Sequence, residues 1–198
     1  MTNSGVPYRK GHGTGNEFIL VSGLDGYFAD PQSVTPKIAQ SLCNRDHGLG
    51  ADGILRVARA SEFDIDDAQY FMDYTNADGS LSATCGNGLR VFARYLVEAG
   101  LENRGQFTIG TRAGTVTVAI SETDTDFTNI AVTMGHVSLG PMDVTVQTET
   151  GSWPAVGIAG MNNHAISVVD DIAEAGSLKE IPTALPAGTY PDGVNFEF

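Results

Sequence analysis

Cys85 stands directly before Gly86, Asn87 and Gly88, and Leu89, Phe92, Ala93, Leu96 and Val97 follow it at helical spacing. A thiol in that place has two chemical uses. The unsatisfied N–H groups at a helix N-terminus carry partial positive charge, which favours the thiolate over the thiol. Gly86 and Gly88 let backbone N–H groups approach a ligand closely, and Asn87 adds a side-chain amide, so the same turn suits a carboxylate. Base and anion site then coincide. An amino acid whose α-carboxylate rests on these N–H groups loses its α-proton to give a carbanion that is stabilised where its charge develops, and the thiolate is placed to take that proton. The plain alternative for Cys85 is a small buried hydrophobe ahead of an ordinary helix. Cys43, the only other cysteine, reads that way, because it adjoins the apolar face of another helix.

The elements that must position this turn are mostly strands. Apolar runs of strand length, separated by glycine and aspartate turns, occur at Phe18–Val21, Ile54–Ala58, Tyr70–Tyr74, Phe107–Ile109 and Thr115–Ile120, and a turn at Arg112–Gly114 joins the last two as a hairpin. Two helices interrupt them. The first opens with Thr35 as cap and Pro36 in its first turn, with Ile38, Ala39 and Leu42 on one face, and the second begins just after Cys85 and is stopped by Gly100. From about Ser121 the pattern restarts with strands expected at Asn129–Met134, Val144–Thr148, Ala165–Val169 and Val194–Phe198, and a short helical stretch at Asp171–Ala175. GTGNEFILV (13–21) and GMNNHAISV (160–168) share four of nine residues, a faint internal echo that supports two similar halves. The second half has no counterpart of the cysteine and its helix, and the final GVNFEF is strand-like with apolar ends, so the sequence reads as cut short.

Composition narrows the partners. Lysine and arginine total 11 against 24 acidic residues, and the net charge of -13 opposes binding to nucleic acid or to an anionic membrane surface, which leaves a small molecule. No apolar run approaches the ~20 residues of a membrane span, and MTNSGVPYRKGHG lacks a signal peptide's apolar core, so the expected location is the cytoplasm. No CxxC or HExxH spacing offers a metal site. A pyridoxal enzyme is disfavoured, since Lys10, Lys37 and Lys179 stand in no recognisable cofactor motif.

YTNADGSLSATCGNGLRVFARYL resembles the active-site segment of the diaminopimelate epimerase family, Asn-Ala-Asp-Gly-Ser followed by Cys-Gly-Asn-Gly and a helix. GHGTGNEF, LCNRDHGLGADGIL and PDGVNFEF agree in order with further family motifs, and the wording of MDYTNADGS is that of the actinobacterial branch. The resemblance implies an α+β fold of two similar domains, each a curved, mostly antiparallel sheet around a central helix, here residues 1–120 and an incomplete 121–198, with substrate between them. It implies cofactor-independent proton transfer interconverting LL- and meso-diaminopimelate in lysine and peptidoglycan-precursor synthesis, by a possible homodimer without metal.

Carried over by motif, Cys85 is one of two paired acid/base cysteines, Gly53, Gly86 and Asn87 belong to substrate-binding turns, and Asn16, Asn76, Asn162 and Asn195 match substrate-contacting asparagines. An amide both donates and accepts, so asparagine holds an ammonium or a carboxylate without adding charge. Asn76 and Asn195 also suit a turn or a strand end. Where the family has Gly-Asn-Pro-His this chain reads Met161-Asn162-Asn163-His164, and the internal echo instead pairs Asn16 with Asn163. His164 is a candidate auxiliary in proton traffic, or a histidine simply hydrogen-bonded in place. The family's other cysteine lies in a region beyond GVNFEF that this chain lacks, which makes the expected enzyme catalytically incomplete; the alternative is a protein that holds an amino acid without turning it over.

Overall fold

Thr35 and Pro36 open the first helix as the sequence predicts. In the computed structural model, which describes residues 5–191 and 193–198, Thr35 Oγ1 accepts from Ile38 N (3.3 Å), and α1 runs Pro36–Cys43. Cys85 is the N-cap of α2, Gly86–Glu98. Gly100, at φ +69°, ends it: its N–H reaches Val97 O and that of Leu101 reaches Leu96 O, the paired closure that spares the last carbonyls.

Around these helices run β1 (Arg9–Gly13), β2 (Asn16–Ser22), β3 (Gly53–Arg59), β4 (Tyr70–Asn76), β5 (Gly105–Thr111), β6 (Gly114–Ile120) and β7 (Ile130–Thr133), one sheet in the order β1 to β7. In this sheet β2·β3 and β4·β5 are parallel and the other described pairs antiparallel. Each parallel pair needs a crossover, and α1 and α2 lie in the two crossovers. α2 packs against both edge strands, β1 and β7, as well as β2 and β3, so the sheet curls around it.

Both faces of the middle strands are covered, which explains why β2 and β3 read as continuous apolar runs rather than alternating ones. Ile19, Val21 and Ile54 pack with Ala39 and Cys43 of α1, while Phe18 and Leu55 turn to the α2 side, against Gly88. β6 has one wet face and alternates instead. Within the run Gly53–Arg59 stands a fully buried arginine. Arg56 Nη1 meets Asp73 Oδ2 (3.2 Å), Nη2 meets Glu62 Oε2 (2.8 Å) and Ala29 O (3.1 Å), and Nε donates to Phe28 O (2.7 Å).

The chain divides into two compact units between Met134 and Gly135. The sequence places a boundary at 120/121, but β7 pairs antiparallel with β6 and completes the first sheet, so the Asn129–Met134 run belongs to the first half. In the second unit β9 (Val144–Gln147), β10 (Ser152–Ala159), β11 (His164–Ile166), β12 (Thr183–Leu185) and β13 (Asn195–Glu197) form a sheet in the order β12-β9-β10-β11-β13, with β8 (Ser138–Leu139) also on β10. The expected helical stretch is a short 3-10 turn, Ile172–Ala175, capped by Asp171. One arrangement recurs: the antiparallel hairpins β1–β2 and β10–β11 each carry a parallel strand on their second arm, β3 and β13 respectively. No helix among the described residues is long and apolar enough to cross a membrane.

Burial, with Asp52 adding its charge, pushes the Cys43 thiol from 9.0 up to about 11. Its unfolded counterpart ionises first, so the neutral thiol's contribution is intact below pH 9 and is lost as pH rises toward 11, roughly 2–3 kcal/mol in all. Urea midpoints at pH 8 and pH 10.5 are expected to differ less in Cys43→Ala than in the wild type; equal differences would refute this.

Candidate active site

Strand register brings the sequence candidates of the first unit together. Phe18 of β2 pairs with Gly53 of β3, and Gly53 pairs with Asn76 at the end of β4, so Asn16, Gly53 and Asn76 share one end of the sheet. α2 starts at that end. Gly13 in β1 lets it come close, because a Cβ there would stand 2.8 Å from Asn87 O and 3.1 Å from Val91 Cγ2.

The Cys85 backbone is extended, at φ -155° and ψ 116°, and its Sγ accepts the Gly88 N–H at 3.4 Å. The sulfur therefore lies over the first turn, beside N–H groups that have no helical partner. It is partly buried, whereas Cys43 is 3% exposed inside the α1 core. Asn87 Nδ2 donates to Asn16 Oδ1 (2.6 Å), and Asn87 Oδ1 accepts from Arg90, which also donates to Thr14 Oγ1 (2.8 Å). Asn16 Nδ2 in turn reaches Asp52 Oδ2 (3.4 Å).

Burial works against the Asp52 carboxylate, but hydrogen bonds from Glu17 N (2.9 Å) and Asn16 and the Arg45 guanidinium outweigh it and hold it below the ordinary range. Arg45 bridges Asp52 and Glu17, and Lys10 meets Glu17 from the other side (3.2 Å). Asp52 also fixes the next turn, since its carbonyl accepts from Ala77 N (3.0 Å). In that turn Asn76 Nδ2 donates to Ser80 Oγ (3.0 Å), and Asp78 is held low by hydrogen bonds from Ser80.

Gly53 is buried, and a Cβ there would stand 2.4 Å from Tyr74 Cε2 and 2.6 Å from Thr75 O, so packing alone demands glycine. Burial first, and then the nearby Cys85, Asp52 and Cys43, push the Tyr74 phenol far above its usual range and keep it a neutral donor beside the site. Asp52, Arg45, Arg90 and Tyr74 are absent from the sequence-derived candidates. Arg90 stands three residues after Asn87 on the same helix face, and Arg45, Asp52 and Tyr74 lie inside the motifs LCNRDHGLGADGIL and YTNADGS, where residue type alone does not single them out.

The candidates of the second unit gather at one end of its own sheet. Asn162 and Asn163 form the turn from β10 to β11, His164 pairs with Asn195, and His164 Nδ1 lies 3.1 Å from Glu197 Oε1. Asn163 secures this end: its carbonyl accepts from Asn195 N (2.9 Å) and its Nδ2 donates to Gly193 O (3.3 Å).

A family profile described as diaminopimelate epimerase matches residues 8–140. Curated diaminopimelate epimerases from Streptomyces coelicolor and Rhodococcus jostii are each 40% identical to the chain over 98% and 97% of its length, and one from Mycolicibacterium gilvum is 38% identical over 97%. The chain spans 66% to 70% of those relatives' own lengths. In fold it is similar to a hydroxyproline epimerase from Agrobacterium vitis, solved with bound trans-4-OH-L-proline (TM-score 0.62, 16% identity, 85% of this chain and 52% of that one). A probable proline racemase from Agrobacterium radiobacter is similar to the same degree (TM-score 0.63, 17% identity, 87% and 53%). The profile covers the stretch that sets Cys85 on its helix, the relatives match along nearly the whole chain, and the curled sheet is shared with solved epimerases and racemases: the chain belongs to the diaminopimelate epimerase family.

Proposed function

We propose that this site takes diaminopimelate and that Cys85 moves its α-proton, as one half of the two-base chemistry that interconverts the LL and meso isomers without a cofactor. The observation that carries the reading is the Cys85 sulfur at the mouth of α2, with the Asn16 and Asn87 amides joined at the same place. A carboxylate on the Gly86 and Asn87 N–H groups sets the α-carbon near Sγ, and carbanion charge then develops against the helix N-terminus. Asn76 and the backbone at Gly53 line the same sheet end. Inversion also needs an acid on the opposite face of the α-carbon; Cys43 is no candidate for it, buried as it is with its thiol pushed to about 11.

In the second unit we assign Asn162 and Asn195 to substrate and His164, braced by Glu197, to an auxiliary role. The Asn163 carbonyl accepts from Asn195 N as the Glu17 carbonyl accepts from Asp52 N. That parallel supports Asn162 as the counterpart of Asn16. The setting is the cytoplasm, and the form a homodimer, as the resemblance implies.

Proton NMR of LL- and meso-diaminopimelate in D2O with the reduced chain tests the reading. Loss of the α-hydrogen signal is expected, with interconversion wherever a second acid is supplied. Binding without exchange would favour an amino-acid holder, and neither binding nor exchange would sink the proposal.

A further inference from the structure

We infer that Asp52 and Arg90 are positioning residues that fix, from opposite ends, which atoms Asn16 and Asn87 turn toward a ligand. The four side chains form one line: Asp52 Oδ2, Asn16 Nδ2 and Oδ1, Asn87 Nδ2 and Oδ1, and the Arg90 guanidinium. Its ends are chemically unambiguous. A carboxylate accepts and never donates, and a guanidinium donates and never accepts. The Asn16 amide must therefore turn its nitrogen to Asp52 and its oxygen to Asn87, and Asn87 must turn its nitrogen to Asn16 and its oxygen to Arg90. Neither amide can flip alone, because a flipped Asn87 would set oxygen against oxygen at Asn16 and N–H against N–H at Arg90.

Both ends are themselves held. Asp52 takes the Glu17 N–H and the Arg45 guanidinium, and Arg90 reaches Thr14, in the turn that leads into Asn16. The bonds span 36 residues between Asn16 and Asp52 and 71 between Asn16 and Asn87, so the line ties the start of β2 to the loop before β3 and the first turn of α2. After these bonds each amide keeps one N–H and one oxygen lone pair uncommitted, both in directions fixed by the line. Two amides locked with an N–H to spare, beside the N-terminus of α2, match an anionic group. This rests on the site reading above and deepens it, by naming the residues that fix the direction in which the asparagines present their N–H groups to the substrate carboxylate.

The test reads the orientation separately from the ligand. In 15N–1H spectra of the ligand-free chain, the side-chain NH2 signals of Asn16 and Asn87 are assigned by their disappearance in Asn16→Ala and Asn87→Ala. Arg90→Met removes the donor end; Asp52→Asn keeps the size but replaces the obligatory acceptor with a group that can turn either way. Each variant is expected to change both NH2 groups, including the one it does not touch, with the melting curve retained, and to raise the Kd for diaminopimelate about tenfold; the double variant should do little more than either alone, as residues of one network do. Changes confined to the touched asparagine would overturn the inference whatever the chain binds. Propagated changes in a chain that binds no diaminopimelate would uphold the line of amides and refute the reading of the site.

Discussion

In D2O the Cys85→Ser chain is expected to exchange the α-hydrogen of diaminopimelate on the order of 10³-fold more slowly than the wild type, while melting at the same temperature or slightly higher. The two halves of this result come from different properties of one atom. As a cap, Cys85 Sγ accepts the Gly88 N–H at 3.4 Å, and a serine oxygen does this better, since serine ranks among the strongest N-cap residues. The helix start, and with it Asn87, stays in place. As a base, a hydroxyl gives essentially no anion at neutral pH, whereas a thiol near ~8.5 in model peptides gives some even without help. Removal of a positioned acid or base typically costs 10²- to 10⁴-fold, and the serine keeps everything except the base. Exchange within a factor of two of the wild-type rate would show that another group takes the proton. Cys85→Ala separates the halves from the other side: it should lose the chemistry and also about 1 kcal/mol of stability with the cap.

The largest expected loss of stability lies away from the site, at Asp73. Asp73→Ala should cost about 3–5 kcal/mol, because it leaves the Arg56 guanidinium, wholly buried in β3, without its buried counter-charge. Glu62 remains, but it is the more exposed partner, and Asp73 is also the carboxylate that Arg112 pairs with. Replacing Arg56 and Asp73 together with apolar residues should not restore the wild-type value, since Phe28 O and Ala29 O would lose the donors that satisfy them. Urea unfolding followed by circular dichroism measures both; a shift below ~1 kcal/mol for Asp73→Ala would mean that water reaches Arg56 and replaces the carboxylate.

Arg56 also shows where sequence reading stops. GILRVAR reads as a strand from its apolar residues, and it is one, but the burial of its arginine depends on Asp73, Glu62 and two carbonyls supplied by other elements. β2 to β6 and both helices were legible because caps, turns and apolar runs are local signals. β1, RKGHG, has no apolar residue and owes its place to pairing with β2. β10 was hidden by Pro154 and Gly157, residues that argue against a strand; Gly157 is required by close approach, a Cβ there falling 2.7 Å from Pro141 O and Tyr190 Oη. Cys85, Gly86 and Asn87 could be read from four adjacent residues and the helix after them. Asp52, Arg45 and Tyr74 lie inside motifs that the sequence offers, but their parts depend on partners from other elements, which no spacing within those motifs reveals.

The two parallel pairings of the first sheet carry a consequence for how the chain reaches this state. β2·β3 and β4·β5 close only after long crossovers, and non-local closure of this kind slows folding. Asn16 lies before the first crossover, Asp52 at its end, and Cys85 inside the second. A partly folded chain can thus hold α1 and several hairpins and still have no grip on a ligand. The proposed site, whose parts are spread across both crossovers, is complete only when the sheet is built.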